Sequence, residues 1–382
     1  MNDTINERPT RAFIDLDALA SNFHSSKVFI GGDMKYMAVV KADAYGHGSV
    51  QCARRLDAEG VDWFGVALVE EGVELRKAGM SAPILCLGGY WHGQEGSLLE
   101  FEITPVIFEI GQARTLHEYA KGRGIKVAIH VKIDTGMGRL GVRSDDAGDF
   151  ANALTSFDNL HVEGLMTHFA VADNLSQNKF TDEQIQRFHN AVDEFRSFGF
   201  APHLIHLANS PGAVGHPGSR CNLVRLGGIL YGLGGDVLPP GITKPELLPV
   251  MSLFSELSHL KKVPKGETVG YGRTFTTERD SLIAAVPIGY HDGYRRVLSN
   301  EARVIVNGAY APVVGRISMD WTMIDVTEIP RAAIGDKVVL IGNQGDACVK
   351  AEDLAKLANT ISYEITCGIS GRVRRFFEGS TT

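Results

Sequence analysis

The sequence predicts an α/β protein: an N-terminal (β/α)8 TIM barrel followed by a C-terminal mostly-β domain. Three observations predict it. Short apolar runs alternate with amphipathic stretches through the first two thirds of the chain. Polar residues gather at, or just after, the C-terminal ends of several of those runs. After about residue 240 the pattern changes to short alternating runs with frequent glycine, as in a β-rich domain.

The candidate barrel strands are 37–41, 62–68, 83–88, 103–108, 126–133, 160–167, 204–208 and 223–226. Between most of them lie helical patterns, such as 69–79, closed by Gly79 in the manner of a helix C-cap. A doubly wound open sheet would show the same alternation. What favours a barrel is the placement of Lys41, Asp134, Arg139, His168, Asn209, Ser210 and Arg225 at run ends. A barrel puts all of these on the face where active sites are built. Leu238-Pro239-Pro240-Gly241 marks the boundary, giving domains 1–240 and 241–382. The second domain holds the runs Leu282–Pro287, Ala302–Val306, Ala311–Ile317 and Lys337–Gly342. Its one clear helix is Ala351–Ala358, with Glu352 and Asp353 in the first turn, where the helix dipole favours acids.

Composition narrows the function. At 382 residues the chain is too long for one ordinary core. With 44% apolar and 22% charged residues it reads as a soluble globular protein. A net charge of -7 leaves no basic footprint for nucleic acid. Five scattered cysteines without a CxxC pair point to a reducing compartment and no structural zinc. No apolar run is long enough for a membrane helix and no secretory signal opens the chain, so a cytoplasmic location is expected.

The residues with chemistry begin at Lys41. A lysine at the end of the buried run Met37–Val40 is either desolvated, which favours the neutral, nucleophilic amine that Schiff-base chemistry needs, or simply a lysine snorkelling from a strand end. Asn209-Ser210-Pro211-Gly212 after run 7 and Gly227-Gly228 after run 8 read singly as an ST-turn and a glycine hinge, and together suit a phosphate, which barrels often hold between those loops. A phosphate-bearing aldehyde then fits, and pyridoxal phosphate is the candidate. Arg225 at the end of run 8 can only donate hydrogen bonds. Facing a pyridine nitrogen, it would leave that nitrogen unprotonated; a structural ion pair is the alternative. Arg139, in the glycine-rich loop 136–141, suits a carboxylate. Lys132 and Asp134 alternate with apolar residues, so both should point into the site. His168 has no partners at ligand spacing and reads as a hydrogen-bonding or packing residue, with no metal expected. Tyr271 sits between Gly270 and Gly272, either presented at close range to a substrate or simply exposed in a β-turn.

Taken together, these motifs resemble the alanine racemases, fold-type III pyridoxal-phosphate enzymes. The resemblance runs nearly end to end through Val40–Gly48, Lys132–Gly141, Met166–Ala170, His206–Ser210, Arg225–Gly232, Gly270–Gly272 and Gly315–Asp320. It implies that Lys41 carries the cofactor and is the base for D-alanine, while Tyr271 is the base for L-alanine on the opposite face. Tyr271 would come from the partner subunit of a homodimer. The cofactor would also be held by Tyr45, His168, Asn209, Ser210, Arg225, Gly227, Gly228 and Tyr363. Arg139 and the backbone of Met319 would hold the substrate carboxylate. Lys132 matches a position carbamylated in many members, where it would orient Arg139, and Tyr290 and Asp320 would support the site. Asp173, Arg296 and Arg316 match the access corridor. D-alanine for peptidoglycan is the implied product. Two departures bear on substrate preference: Gly228 stands where isoleucine is usual, and His291 where a small residue is common. A racemase of serine, lysine or arginine, or a decarboxylase of the same fold, are the alternatives. The decarboxylase would want an acid where Arg225 stands.

Overall fold

The computed structural model describes residues 8–379. Eight parallel strands build the barrel: Lys35–Val39, Trp63–Val66, Ile84–Cys86, Ile103–Ile107, Val127–Asp134, Leu160–Met166, Leu204–His206 and Leu223–Leu226. Each overlaps one of the eight expected runs; the first is shifted, ending at Val39 where the sequence placed its end at Lys41. Leu223–Leu226 pairs with Lys35–Val39, with Arg225 opposite Met37, so the sheet curls back on its first strand. The last seam, between the seventh and eighth strands, is bridged by the Arg225 N–H donating to Ala208 O at 3.0 Å. The barrel is thus nearly closed, and its interior is filled by Met37, Trp63, Leu85, Val106, Met166 and Leu204. Outward-facing residues pack against amphipathic helices such as Val69–Lys77 and Asn178–Ser197.

The second domain is mostly β. Its main sheet runs in the order Ala309–Pro312, Arg303–Val306, Lys337–Gln344, Met251–Glu256, Arg11–Asp15, Arg374–Glu378. A smaller sheet joins His259–Val263, Ser281–Val286 and Thr322–Asp325. Arg11–Asp15 opens the chain yet pairs antiparallel with Met251–Glu256 and parallel with Arg374–Glu378. Its alternation buries Ala12 and Ile14 in the core. This strand lies on the barrel side of the expected boundary in sequence and in the second sheet in space.

The helix expected at 351–358 forms over Ala351–Leu357. A second short helix, Ser362–Cys367, was not marked by the sequence, and it carries Tyr363 to the barrel mouth. Among the described residues, no helix is long and apolar enough to cross a membrane.

Candidate active site

The first barrel strand ends at Val39, and Lys41 lies two residues beyond it. The chain then does what its composition hides. Ala42, Asp43, Ala44 and Tyr45 all take left-handed backbone angles, with φ of 53–55°. Such a turn costs roughly 1–2 kcal/mol per non-glycine residue, so its surroundings must hold it. Glu71 Oε1 accepts from Ala42 N–H at 2.8 Å, and Asp43 Oδ1 accepts from Ser49 N–H at 2.8 Å. Val40 O accepts from Ala44 N–H at 2.9 Å. The strained turn brings Lys41 and Tyr45 into one cavity, a common reason for storing strain at a site.

That cavity, about 450 Å³, opens at the C-terminal ends of the strands. The structure brings into it Lys41, Tyr45, Lys132, Arg139, His168, Asn209, Ser210, Arg225, Gly227, Gly228 and Tyr363, all expected from the sequence. Four of its lining residues are cations and none is a carboxylate. Burial first, and then the Arg139 guanidinium, lower the Lys41 pKa. Lys132, 5% exposed, is lowered to about 8 by burial and by Arg139, Arg225 and Lys41. An uncompensated cluster of this kind is built for an anion.

Two loops form a cradle. Ser210 Oγ accepts from Gly227 N–H at 2.9 Å, tying the loop after the seventh strand to that after the eighth. Asn209 Oδ1 accepts from Gly212 N–H at 3.1 Å and caps the short helix Ser210–Gly215. A Cβ at 227 would lie 2.6 Å from the Tyr45 hydroxyl, and one at 228 would lie 2.2 Å from the Tyr363 ring. Both glycines are therefore required by the close approach of a phenol.

Arg225, 3% exposed, donates to Thr167 O and His206 O at 2.8 Å and to Leu207 O at 3.0 Å. It also donates to Nδ1 of His168 and of His206, at 3.3 and 3.2 Å. Its ordinary value falls to about 10 through burial, which leaves it charged at neutral pH. The pKa of His168 is pushed well down by burial and then by Arg225, so the ring is neutral.

Asp134 departs from its expected direction. Its Oδ1 accepts from Gly136 N–H at 2.9 Å and Gly138 N–H at 3.1 Å, so it shapes the loop that carries Arg139. Tyr271 is 71% exposed and shares a patch of the second domain with Arg316, Ser318 and Trp321. Tyr290 and Met319 are exposed nearby in sequence, their turns joined by Tyr290 N–H to Ser318 O at 3.0 Å and His291 N–H to Met319 O at 3.1 Å. Asp320 accepts from Arg372 at 2.8 Å. None of these four lines the Lys41 cavity.

Sequence reasoning missed Leu87, Leu140 and Cys367 in the cavity wall and the buried pair His130 and His206 beneath Arg225. One signal was present: His130 stands two residues before Lys132, in the same inward alternation.

The alanine racemase N-terminal domain model matches residues 14–234, and the C-terminal domain model matches residues 250–377. An alanine racemase from Geobacter sulfurreducens is 44% identical over 378 residues, 98% of each chain. One from Halothermothrix orenii is 43% identical over 97% of each. The solved alanine racemase of Clostridium difficile 630 superposes with a TM-score of 0.91 at 36% identity, covering 99% of this chain and 97% of that one. The Bacillus anthracis alanine racemase with bound L-Ala-P gives 0.89 at 36%, covering 98% and 96%. With both domains matched in order along nearly the whole chain, the protein belongs to the alanine racemase family.

Proposed function

We propose that the protein interconverts L-alanine and D-alanine with pyridoxal phosphate, working as a homodimer in the cytoplasm and supplying D-alanine for peptidoglycan. The observation that carries this is the lining of the barrel cavity: three further cations and no carboxylate around the half-buried Lys41 amine. A cofactor phosphate and a substrate carboxylate are the anions such a lining takes.

The residues fit the cofactor. The cradle of Ser210, Gly227 and Gly228 excludes side-chain bulk where a phosphate would sit, with Tyr45 and Tyr363 closing over it. Lys41 offers an amine of lowered pKa for attachment. Every polar partner of Arg225 is an acceptor, so its remaining role toward a ring nitrogen is to donate, never to deliver a proton. Bound there, pyridoxal phosphate supplies the electron withdrawal that acidifies the substrate's α-carbon.

The chain's own groups do the rest. Arg139 holds the substrate carboxylate, with the backbone of Met319 approaching from a second subunit. Lys41 takes or returns the α-proton on one face. Tyr271 of the second subunit does so on the other, since inversion needs a base on each face. Lys132 sits beside Arg139 and sets its charge environment. Arg225 also weighs against the decarboxylase alternative, whose chemistry wants an acid there.

The test is a chiral assay. Purified protein with pyridoxal phosphate is incubated separately with L-alanine, L-serine, L-lysine and L-arginine, and each D-isomer is quantified. Rapid D-alanine with little else is expected. A D-isomer of another amino acid in excess would reassign the substrate, and no D-isomer at all would overturn the racemase reading.

A further inference from the structure

Beneath Arg225 a line of buried polar groups runs away from the cavity. His206 Nε2 lies 2.8 Å from His130 Nδ1; His130 Nε2 is buried without an aligned hydrogen bond and has the Glu163 carboxylate as its ionic neighbour, Oε2 at 3.4 Å. Both rings are fully buried, between the apolar cluster of the barrel interior and the buried cations Lys132 and Arg225. The backbone makes two concessions to this line. The register between the fifth and sixth strands slips between Ile129 and His130, so Glu163 is the extra residue of a bulge. Bulges re-aim side chains, and this one directs a carboxylate at His130. Next to it, a Cβ at Gly164 would come within 2.6 Å of the His130 ring.

The polarity of the chain follows from elementary donor counting. Arg225 can only donate, so His206 Nδ1 must accept. A neutral His206 then carries its proton on Nε2 and donates to His130 Nδ1. His130 in turn carries its proton on Nε2, facing the carboxylate. We infer that Glu163 is a positioning residue for Arg225: through His130 and His206 it fixes both tautomers and holds an acceptor, never a donor, against the guanidinium. Arg225 opposes an N–H at His206 Nδ1 from one end of the line, and Glu163 draws the His130 proton to Nε2 from the other; without the carboxylate only the 3.2 Å Arg225 contact stands against a joint reversal of the two rings. The inference rests on the racemase reading only for its kinetic consequence.

The primary test is the ring 15N spectrum of histidine-labelled, purified full-length protein. Signals are assigned by their loss in His130→Gln and His206→Gln. His130 and His206 are expected as single Nε2–H tautomers in the unaltered protein. Glu163→Gln, which can donate as well as accept, should give mixed tautomers at both rings. With turnover as the second readout, kcat for alanine should fall roughly tenfold, the scale seen when an outer hydrogen-bond partner is removed, while KM and the melting temperature hold. His203→Gln, at the exposed neighbour 3.6 Å from Glu163, should leave the spectrum unchanged. An Nδ1–H or charged ring in the unaltered protein, read without any change at Glu163, overturns the inference. So does a Glu163→Gln spectrum that matches the parent. A silent chiral assay with the expected tautomers would sink the racemase reading alone.

Discussion

Lys41 lines the barrel cavity, and Tyr271 of the same chain stands 71% exposed on a separate patch of the second domain. Two bases for one α-carbon must face each other, so a site using both draws them from two chains. In an isologous dimer each chain lends its tyrosine to the other. Lys41→Ala and Tyr271→Phe homodimers should each be nearly inactive. After mixing and subunit exchange, heterodimers carry one site with both bases, so activity should return to about a quarter of the parental level. Mixtures that stay as inactive as the parents would place both residues in one chain's site.

The two bases should separate kinetically. Lys41→Ala should lose about 10²–10⁴-fold in turnover, the usual worth of a positioned base, and also the borohydride-reducible attachment of the cofactor. Tyr271→Phe should slow hydrogen exchange from L-alanine by a similar factor while exchange from D-alanine falls much less. Isotope washout in deuterated water reads both directions. Equal losses would argue that neither residue owns a face.

Lys132 makes a prediction about pH. Its pKa is lowered from 10.5 to about 8, by burial first and then by Arg139, Arg225 and Lys41. Between those values the unfolded chain binds a proton that the folded chain does not, so stability rises with pH across that window. Below about 8 the penalty is fully present. Lys132→Met should therefore stabilise the cofactor-free protein by roughly 3 kcal/mol at pH 7, with the advantage shrinking toward pH 10.5. Urea melts at several pH values check this, and an advantage that ignores pH would contradict it. The amine freed near pH 8 is also available to carbon dioxide. A [13C]bicarbonate signal present in the parent and absent from Lys132→Met would show the carbamate.

The strands and most of the cavity were legible in the sequence because both are local patterns. Apolar runs mark buried parallel strands, and the residue after each run lands on a predictable face. What stayed hidden depends on partners distant in the chain. Arg11–Asp15 alternates like any strand, and nothing in five residues names Met251–Glu256 and Arg374–Glu378 as its neighbours. The left-handed turn at 42–45 contains no glycine, so composition gave no sign of positive φ there. It forms because Glu71, from another helix, captures the Ala42 amide. The bulge at Glu163 is likewise a property of pairing with a second strand. Asp134 pointed where alternation predicted only as far as its backbone; the glycine amides of its own loop then claimed the side chain.

Gly228 and Tyr363 supply the last prediction. A Cβ at 228 would fall 2.2 Å from the Tyr363 ring. The Tyr363 ring occupies the space a side chain at 228 would fill, and it lies edge-on to Tyr45 at 5.1 Å. Gly228→Ala must therefore displace the phenol. The clash involves the far end of a side chain rather than backbone, so the fold should survive with a loss of stability of about 1–3 kcal/mol, as for overpacking elsewhere. The larger effect should fall on cofactor retention, because Tyr363 and Gly228 both line the cavity beside Ser210 and Gly227, the cradle proposed for the phosphate. We expect pyridoxal phosphate affinity, measured by fluorescence titration of the cofactor-free protein, to drop about tenfold, a change of some 1.4 kcal/mol. Gly228→Ile paired with Tyr363→Phe should recover none of it, since the missing hydroxyl and not the clash alone would then limit binding. An unchanged affinity in Gly228→Ala would mean that Tyr363 is free to leave the cradle without cost, and that its packing over Gly228 is incidental to the cofactor.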